Sequence, residues 1–245
     1  MKNSVVLLVI MLFLVLTISS QNDTMYIMKN GVAVGKYNVN TQVDSVIFYK
    51  PQPPNSGTFT DSRDGNVYKW VKIGNQVWMA ENLRYLQSVV APTTGSTTTP
   101  CYYVYDYYGT DVNAAKATDN YKIYGVLYNW SAACASCPIG WHLPNVVEWY
   151  QLIDFLGGLS IADGKLKEVG TIHWASPNDD ATNETGFRAL PGGDRGSNGL
   201  FGAIGKFGHW WSSNDNAWGL LIANNYSMSG FSPKEVGFSV QCMKD

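Results

Sequence analysis

One stretch of the sequence, residues 128–158, constrains the fold more than any other. Two cysteines in it precede a Trp-His-Leu-Pro corner, and a helical pattern begins where the corner ends. Pro144 suits the first turn of a helix, where a missing N–H is tolerated. Gly157 and Gly158 predict the end of that helix. The apolar residues between these limits recur at helical spacing and predict a face that packs on a core. They are Val147, Leu152, Ile153 and Leu156, with Trp149 to one side.

The first 20 residues form a separate segment. Lys2 precedes an uninterrupted apolar run over residues 5–18, and small polar residues follow it. This pattern is typical of a secretory signal peptide, whereas an uncleaved anchor would need about 20 apolar residues. We therefore expect residues 1–20 to be cleaved and no stable transmembrane segment to remain. The mature protein is expected in the periplasm, on the outer surface or secreted.

The composition indicates a compact globular chain with no nucleic-acid partner. Apolar residues make up 45% of the chain and charged residues 15%, which is unlike a disordered protein. The formal net charge is −2 and no block of like charge occurs. A protein that binds nucleic acid needs a basic patch, so this class of partner is not expected.

The sequence contains four cysteines, Cys101, Cys134, Cys137 and Cys242. An even number in an exported protein favours two disulfides, and the sequence alone leaves all three pairings open. Cys134 and Cys137 have the spacing of a redox pair, which requires a thiolate at a helix N-terminus. Proline and glycine follow them instead of a helical run, and a zinc site would need a second ligand pair. Structural disulfides are therefore the preferred interpretation.

The chain is expected to contain a small N-terminal β unit and a large main domain. In residues 21–50, Asn30-Gly31 predicts a tight β-hairpin turn, and residues 43–49 predict a third strand. Residues 51–57 are rich in proline and predict a semi-rigid linker. The main domain then covers residues 58–245 and contains all nine tryptophans.

The main domain is predicted to be α+β, with two helices followed by a sheet of short strands. The first helix is predicted over residues 125–134 and the second after Pro144. The predicted strands are residues 68–73, 76–79, 187–190, 208–213, 218–222 and 237–242. Long loops lie between them, such as residues 191–205, and loops of this length usually serve binding or catalysis.

Several motifs resemble those of one bacterial domain family. They are Cys-Pro-Ile-Gly-Trp-His-Leu-Pro at 137–144, Gly-Phe-Arg-Ala-Leu-Pro-Gly-Gly at 186–193, Trp-Ser-Ser at 211–213, the ending at 237–245, and residues 74–83 near the domain start. Together they resemble the Fibrobacter succinogenes major paralogous domain over residues 60–245. The resemblance implies an exported or surface protein of Bacteroidetes-like bacteria. The N-terminal hairpin is similar to an adjunct found on such proteins.

A more distant resemblance is to the C-type-lectin-like fold, which formylglycine-generating enzymes share. The residues that carry it are Trp130, Ala133, Cys134, Trp141, Leu143 and Glu148. It implies two helices, a twisted antiparallel sheet and long loops. It also implies a disulfide between Cys137 and Cys242, with Cys134 as the competing partner, and a second one between Cys101 and Cys134. The late active-site cysteine pair of those enzymes is missing here, which argues against their chemistry.

Residues 211–218 loosely resemble the calcium element of sugar-binding lectins. Asn214, Asp215 and Asn216 offer oxygen ligands of the kind calcium prefers, but the companion Glu-Pro-Asn element is absent. No cofactor is therefore expected, although calcium stays open. Aromatic residues at loop ends are candidates for stacking on a ligand. The candidate ligand-binding residues are Trp210, Asn214, Asp215, Trp218 and Tyr226.

The sequence nominates no catalytic residue. His142, His173 and His209 are isolated, and each lies beside a tryptophan. A glycosidase needs two carboxyl groups at a fixed separation, and no pattern in the loops identifies such a pair. We therefore expect an exported, non-enzymatic protein whose loops at 177–207 and 214–234 bind a glycan or a protein at the cell surface. The alternatives are a polysaccharide-acting enzyme and a structural component of the envelope or a surface appendage.

Overall fold

The structure, a computed structural model, describes five segments of the chain: residues 24–29, 32–38, 55–215, 218–223 and 227–245. Some predicted features lie outside these residues. They are the signal peptide at 1–20, the third strand at 43–49, linker residues 51–54, Asn216 and Tyr226. The chain divides into two compact units, Met1–Pro54 and Asn55–Asp245.

The first unit contains a β-hairpin. β1 (Thr24–Lys29) pairs antiparallel with β2 (Val32–Asn38), on either side of the predicted Asn-Gly turn. The register shifts between Ile27 and Met28, and such a bulge increases the local twist of a strand pair.

The second unit mixes α and β structure, with several small antiparallel sheets. Its strands are β3 (Ser56–Thr60), β4 (Val67–Ile73), β5 (Gln76–Met79), β6 (Tyr102–Tyr103), β7 (Leu127–Tyr128), β8 (Trp141–His142), β9 (Asp194–Arg195), β10 (Phe201–Gly202), β11 (Phe207–Trp211), β12 (Trp218–Ala223), β13 (Ser227–Phe231) and β14 (Met243–Lys244). A five-stranded sheet has the order β3-β4-β5-β14-β8, and a three-stranded sheet has the order β11-β12-β13. The pairs β6-β7 and β9-β10 form two further sheets.

The described residues of the second unit form five helices rather than the two predicted from the sequence. They are α1 (Val112–Ala117), α2 (Asp119–Tyr124), α3 (Trp130–Ser136), α4 (Val146–Phe155) and α5 (Leu159–Leu166). The helix predicted over residues 125–134 begins later, because Gly125 caps the end of α2 at φ 78° and Asn129 caps the start of α3. Within the described part of the chain, no helix is long and apolar enough to cross a membrane.

The helix after the corner forms and ends where the sequence predicts, but Pro144 precedes its N-cap instead of occupying its first turn. Asn145 caps α4 in a capping box with Glu148, and Gly157 and Gly158 follow the helix with φ 104° and 97°. The buried face differs from the prediction in two positions. Trp149 is fully buried in the core, whereas Val147 is 59% exposed. The helix therefore turns its tryptophan, not its first valine, toward the sheets.

Two segments predicted as strands do not form them. Residues 187–190 make a single bridge, Ala189 to Lys167, because Arg188 has a left-handed backbone at φ 56°. Residues 237–239 make only isolated bridges, and the last strand is β14. The Gln241 side chain replaces part of the missing ladder, since its Nε2 donates to the carbonyls of Met79 and Phe187 at 2.7 and 3.0 Å.

The predicted linker is also shorter than expected. Ser56 and Gly57 belong to β3, where they pair with Val71 and Trp70. A Cβ at Gly57 would lie 2.7 Å from the Trp70 ring. Gly57, which the prediction placed in the semi-rigid linker, is therefore needed for close packing inside the sheet.

One disulfide joins the corner to the end of the chain. It links Cys137, which caps the end of α3, to Cys242, which precedes β14. This is the pairing that the C-type-lectin-like resemblance implies. The second disulfide is not formed, since Cys101 and Cys134 are both free thiols. Cys101 is buried and Cys134 is exposed.

Candidate functional site

The predicted ligand residue Trp210 is part of the core. Its side chain is fully buried, and its indole Nε1 donates to Asn82 Oδ1 at 2.8 Å. It packs in one cluster with Trp78, Trp149 and Leu220. The prediction that Trp210 stacks on a ligand is therefore wrong, because β11 is covered on both faces rather than ending in an exposed loop.

Asn214 has a structural partner. Its Oδ1 accepts a hydrogen bond from the Val146 N–H at 2.7 Å, so the side chain braces the first turn of α4. Asp215 is exposed, and Trp218 lies in β12, where its backbone pairs with Phe231. In the described segments, no group of three or more His, Cys, Asp or Glu residues is placed to hold a metal ion. Of the predicted site residues, Asn216, Tyr226 and the side chain of Trp218 lie outside what the structure describes. Of the others, Trp210 is buried in the core, Asn214 braces α4 and Asp215 is exposed.

A different group of aromatic rings lies at the surface. Phe201 in β10 contacts Tyr105 at 5.1 Å and Tyr108 at 5.8 Å between ring centroids. Tyr108 is 64% exposed, and Leu200 beside Phe201 is 66% exposed. We call Tyr105, Tyr108, Leu200 and Phe201 the aromatic surface. Tyr105 and Phe201 are partly buried against a small core cluster, so Tyr108 is the exposed ring of the group. An exposed ring beside an exposed leucine is typical of contact sites for ligands or partners.

Two carboxyl groups accompany the aromatic surface. Asp194 in β9 pairs with Gly202 across the β9-β10 hairpin, and Asp106 lies beside the Tyr108 hydroxyl. Gly193 precedes the hairpin, and a Cβ at this residue would lie 3.0 Å from the Tyr105 ring. Glycine therefore allows this part of the chain to pack closely against that ring. The surface therefore combines apolar ring faces with hydrogen-bond acceptors.

A family model described as the Fibrobacter succinogenes major domain matches residues 71–244. The chain belongs to this family. The match confirms the family resemblance seen in the sequence, and it includes the corner, the disulfide and the aromatic surface. No curated protein and no solved structure matches the chain.

In this Fibrobacter succinogenes major domain, each of the three histidines lies near a carboxylate. His142 contacts Asp245 at 2.7 Å and Glu148 at 3.0 Å, and His173 contacts Glu168 at 2.6 Å. Sequence reasoning missed Asp245 because it is 103 residues from His142. It also missed Glu148 and Glu168 as partners, although they are only six and five residues from their histidines. It also missed the aromatic surface, for which the run of five tyrosines within residues 102–108 was the available signal.

His209 and Asp194 form the third pair, and burial shifts both groups. His209 Nδ1 lies 3.8 Å from Asp194 Oδ2, too far for a hydrogen bond, and it has no other partner among the described residues. Burial lowers the pKa of His209 to about 4, and burial raises the pKa of Asp194 to about 6. At neutral pH the imidazole is therefore uncharged, and the pair is not a salt bridge.

These two shifts oppose each other in the pH dependence of stability. The lowered pKa of His209 gives stability that is present above pH about 6.5 and is lost as the pH falls toward 4. The raised pKa of Asp194 gives stability that is fully present below its unfolded value and is lost as the pH rises through 6. Acidification therefore weakens the fold through His209 and strengthens it through Asp194.

Replacement of Asp194 by asparagine should remove the stabilisation that protonation of Asp194 provides at low pH, and leave the loss of stability caused by His209. As the pH falls from about 6 to 4, we expect Asp194→Asn to lose about 2–3 kcal/mol of unfolding free energy relative to wild type. Urea unfolding at several pH values between these limits measures the difference. Asp215→Asn, which removes an exposed carboxyl group, should follow the wild-type curve. An unchanged difference between Asp194→Asn and wild type across this range would contradict the assignment.

Proposed function

We propose that this chain is an exported, non-enzymatic glycan-binding protein that contacts its ligand at the aromatic surface. The observation that carries the proposal is the exposure of Tyr108 and Leu200 next to Phe201, with Asp106 and Asp194 alongside. A sugar ring has an apolar C–H face and a rim of hydroxyl groups. Aromatic rings suit the first, and ionised carboxylates accept hydrogen bonds from the second.

The chemistry of this surface favours a glycan over a nucleic acid. Stacking rings alone would suit bases as well as sugars. A polyanion also needs cationic side chains. Arg195 pairs with Phe201 across the hairpin, but its side chain is buried and its guanidinium donates to backbone carbonyls. The accessible charged groups beside these rings are the carboxyl groups of Asp106 and Asp194. Hydrogen bonds to charged groups contribute about 1.5–3 kcal/mol each, so two carboxylates can orient a neutral, hydroxyl-rich ligand.

We assign the scaffold to the C-type-lectin-like type. Three features support this assignment: α3 leads into the corner, α4 follows it, and a disulfide ties the corner to the last strand. A rigid framework of this kind positions loops that carry function. Export is supported by the apolar segment after Lys2 and by the disulfide, since disulfides persist in oxidising compartments.

Truncation of rings in the aromatic surface should weaken glycan binding. We expect Tyr108→Ala and Phe201→Ala each to reduce affinity by about 5- to 30-fold, since removal of a stacking ring costs about 1–2 kcal/mol. A glycan array identifies the ligand, and titration calorimetry of the variants measures the change. Phe231→Ala is the matched control, because Phe231 is 72% exposed and is not part of the aromatic surface. Equal affinity of Tyr108→Ala and wild type would refute the proposed contact.

One observation favours a second candidate, a polysaccharide-acting enzyme. Burial raises the pKa of Asp194 to about 6, and a raised pKa is what a general acid in glycoside hydrolysis needs. Incubation of the protein with the glycan that it binds, followed by a reducing-end assay, separates the two functions. Release of reducing ends that Asp194→Asn abolishes would establish the enzyme, and an intact glycan would support simple binding.

A further inference from the structure

A polar cavity of about 230 Å³ is present in the second unit, and it shares no residue with the aromatic surface. Its charged lining residues are Glu81, Arg84, Lys122 and Arg188, together with His173. The volume equals that of about eight water molecules at roughly 30 Å³ each. The cavity is therefore suited to one small molecule or to the end group of a larger one.

Arg188 is fixed in place on one side of the cavity. Its Nε and Nη2 donate to Glu168 Oε1 at 2.9 and 2.8 Å, and its left-handed backbone is held by a 2.9 Å hydrogen bond from its N–H to Asn183 Oδ1. The other oxygen of Glu168 contacts His173 Nδ1 at 2.6 Å. The Glu168 carboxylate therefore orients both Arg188 and His173, and these two side chains are already in position before a ligand binds.

The lining has more unused donors than acceptors. Arg188 Nη1 and His173 Nε2 make no hydrogen bond to any described residue, and Lys122 uses its ammonium group only in a 3.4 Å contact with Asp119. Both residues of this last pair are exposed, at 59% and 89%, so water screens their attraction. Glu81 is the one carboxylate among the lining residues, and it already pairs with Arg84 at 2.7 Å.

The three cations of the lining each have a carboxylate partner. Glu81 pairs with Arg84, Glu168 pairs with Arg188, and the exposed Asp119 pairs with Lys122. An anionic ligand is therefore favoured by the donors that these pairs leave unused and by the weak, water-screened pairing of Lys122. We propose that this cavity binds the carboxylate group of a small acidic molecule. The planar guanidinium fork of arginine matches a carboxylate, and charge-assisted hydrogen bonds of this type are roughly twice as strong as neutral ones.

Calorimetric titration of the full chain with matched acids and neutral analogues tests the proposal. Galacturonate is compared with galactose, and a dipeptide with a free C-terminal carboxylate is compared with its amide. We expect at least one acid to bind and its neutral counterpart to bind at least tenfold more weakly in about 20 mM salt, where screening is weak. Binding of the uronate identifies a sugar acid as the source of the carboxylate, and binding of the dipeptide identifies a peptide end.

Variants assign the binding to the cavity. Arg188→Gln and Lys122→Gln should each weaken acid binding by at least tenfold, and Lys122 is an exposed side chain whose loss leaves the fold intact. Lys72→Gln removes the same charge from an exposed position outside the cavity and should bind normally. Tyr108→Ala should also bind normally, which keeps this proposal separate from glycan binding at the aromatic surface.

Three results would overturn the proposal. One is the absence of saturable binding by either acid up to about 10 mM. Another is equal binding of the acids and their neutral analogues. The third is wild-type affinity in Lys122→Gln and Arg188→Gln, which would place the acid elsewhere on the protein.

Discussion

Replacement of Cys137 and Cys242 by serine is expected to lower the free energy of unfolding by about 4–5 kcal/mol. The disulfide closes a loop with a sequence separation of 105 residues, and the unfolded chain gains most entropy when a long loop is opened. The tethered strand β14 has only two residues. Its pairing with β5 and β8 therefore depends on the covalent link more than the pairing of a long strand would.

Urea unfolding followed by tryptophan fluorescence measures this effect, because all nine tryptophans lie after the linker. Cys134→Ser is the control, since it removes an exposed free thiol and should change stability by less than about 0.5 kcal/mol. Addition of a reductant should lower the wild-type midpoint toward that of the double variant. Equal midpoints for wild type and the double variant would show that the end of the chain is held without the disulfide.

The local signals in the sequence predicted the corner and several elements correctly. The two glycines after the apolar run predicted the end of α4. Its start is set by an asparagine cap with a glutamate three residues later, a local signal that the prediction did not use. The strands β4, β5, β11 and β12 follow predicted apolar segments. Local chemistry was sufficient wherever neighbouring residues determine the backbone.

Predictions from the sequence were wrong or incomplete where contacts between residues distant along the chain determine the local structure. α1 and α2 have six residues each, which is too short for a periodic pattern to indicate a helix. Gly57 looked like part of a linker because its partner Trp70 is on another strand. The backbone at Arg188 turns left-handed next to an apolar run that otherwise reads as a strand.

The candidate sites were hidden from the sequence for the same reason. Phe201 meets Tyr105 and Tyr108 only after the chain has passed through five helices. Glu168 and Arg188 are 20 residues apart, and nothing in their spacing indicates that one carboxylate orients a cavity residue. The prediction instead named Trp210 from the Trp210-Trp211 pair, although large aromatic residues are more often buried than exposed.

Trp210→Ala is expected to reduce the free energy of unfolding by about 3–5 kcal/mol, which is the cost of removing a large aromatic side chain from a core. The side chain is fully buried and fills space that Gly208 leaves free. Its loss also leaves the buried Asn82 Oδ1 without its 2.8 Å donor, and an unsatisfied buried acceptor costs about 1–3 kcal/mol. Thermal and urea unfolding measure the change.

Trp210→Phe separates the two contributions to this loss. It keeps most of the packed ring but removes the indole N–H, so its destabilisation should be smaller and should come largely from Asn82. A ligand-contacting tryptophan would behave in the opposite way, since its alanine variant would keep wild-type stability and lose binding. We therefore expect Trp210→Ala to unfold early and Tyr108→Ala to unfold normally but bind poorly. The reverse pattern would return the binding site to β11 and remove the argument for the aromatic surface.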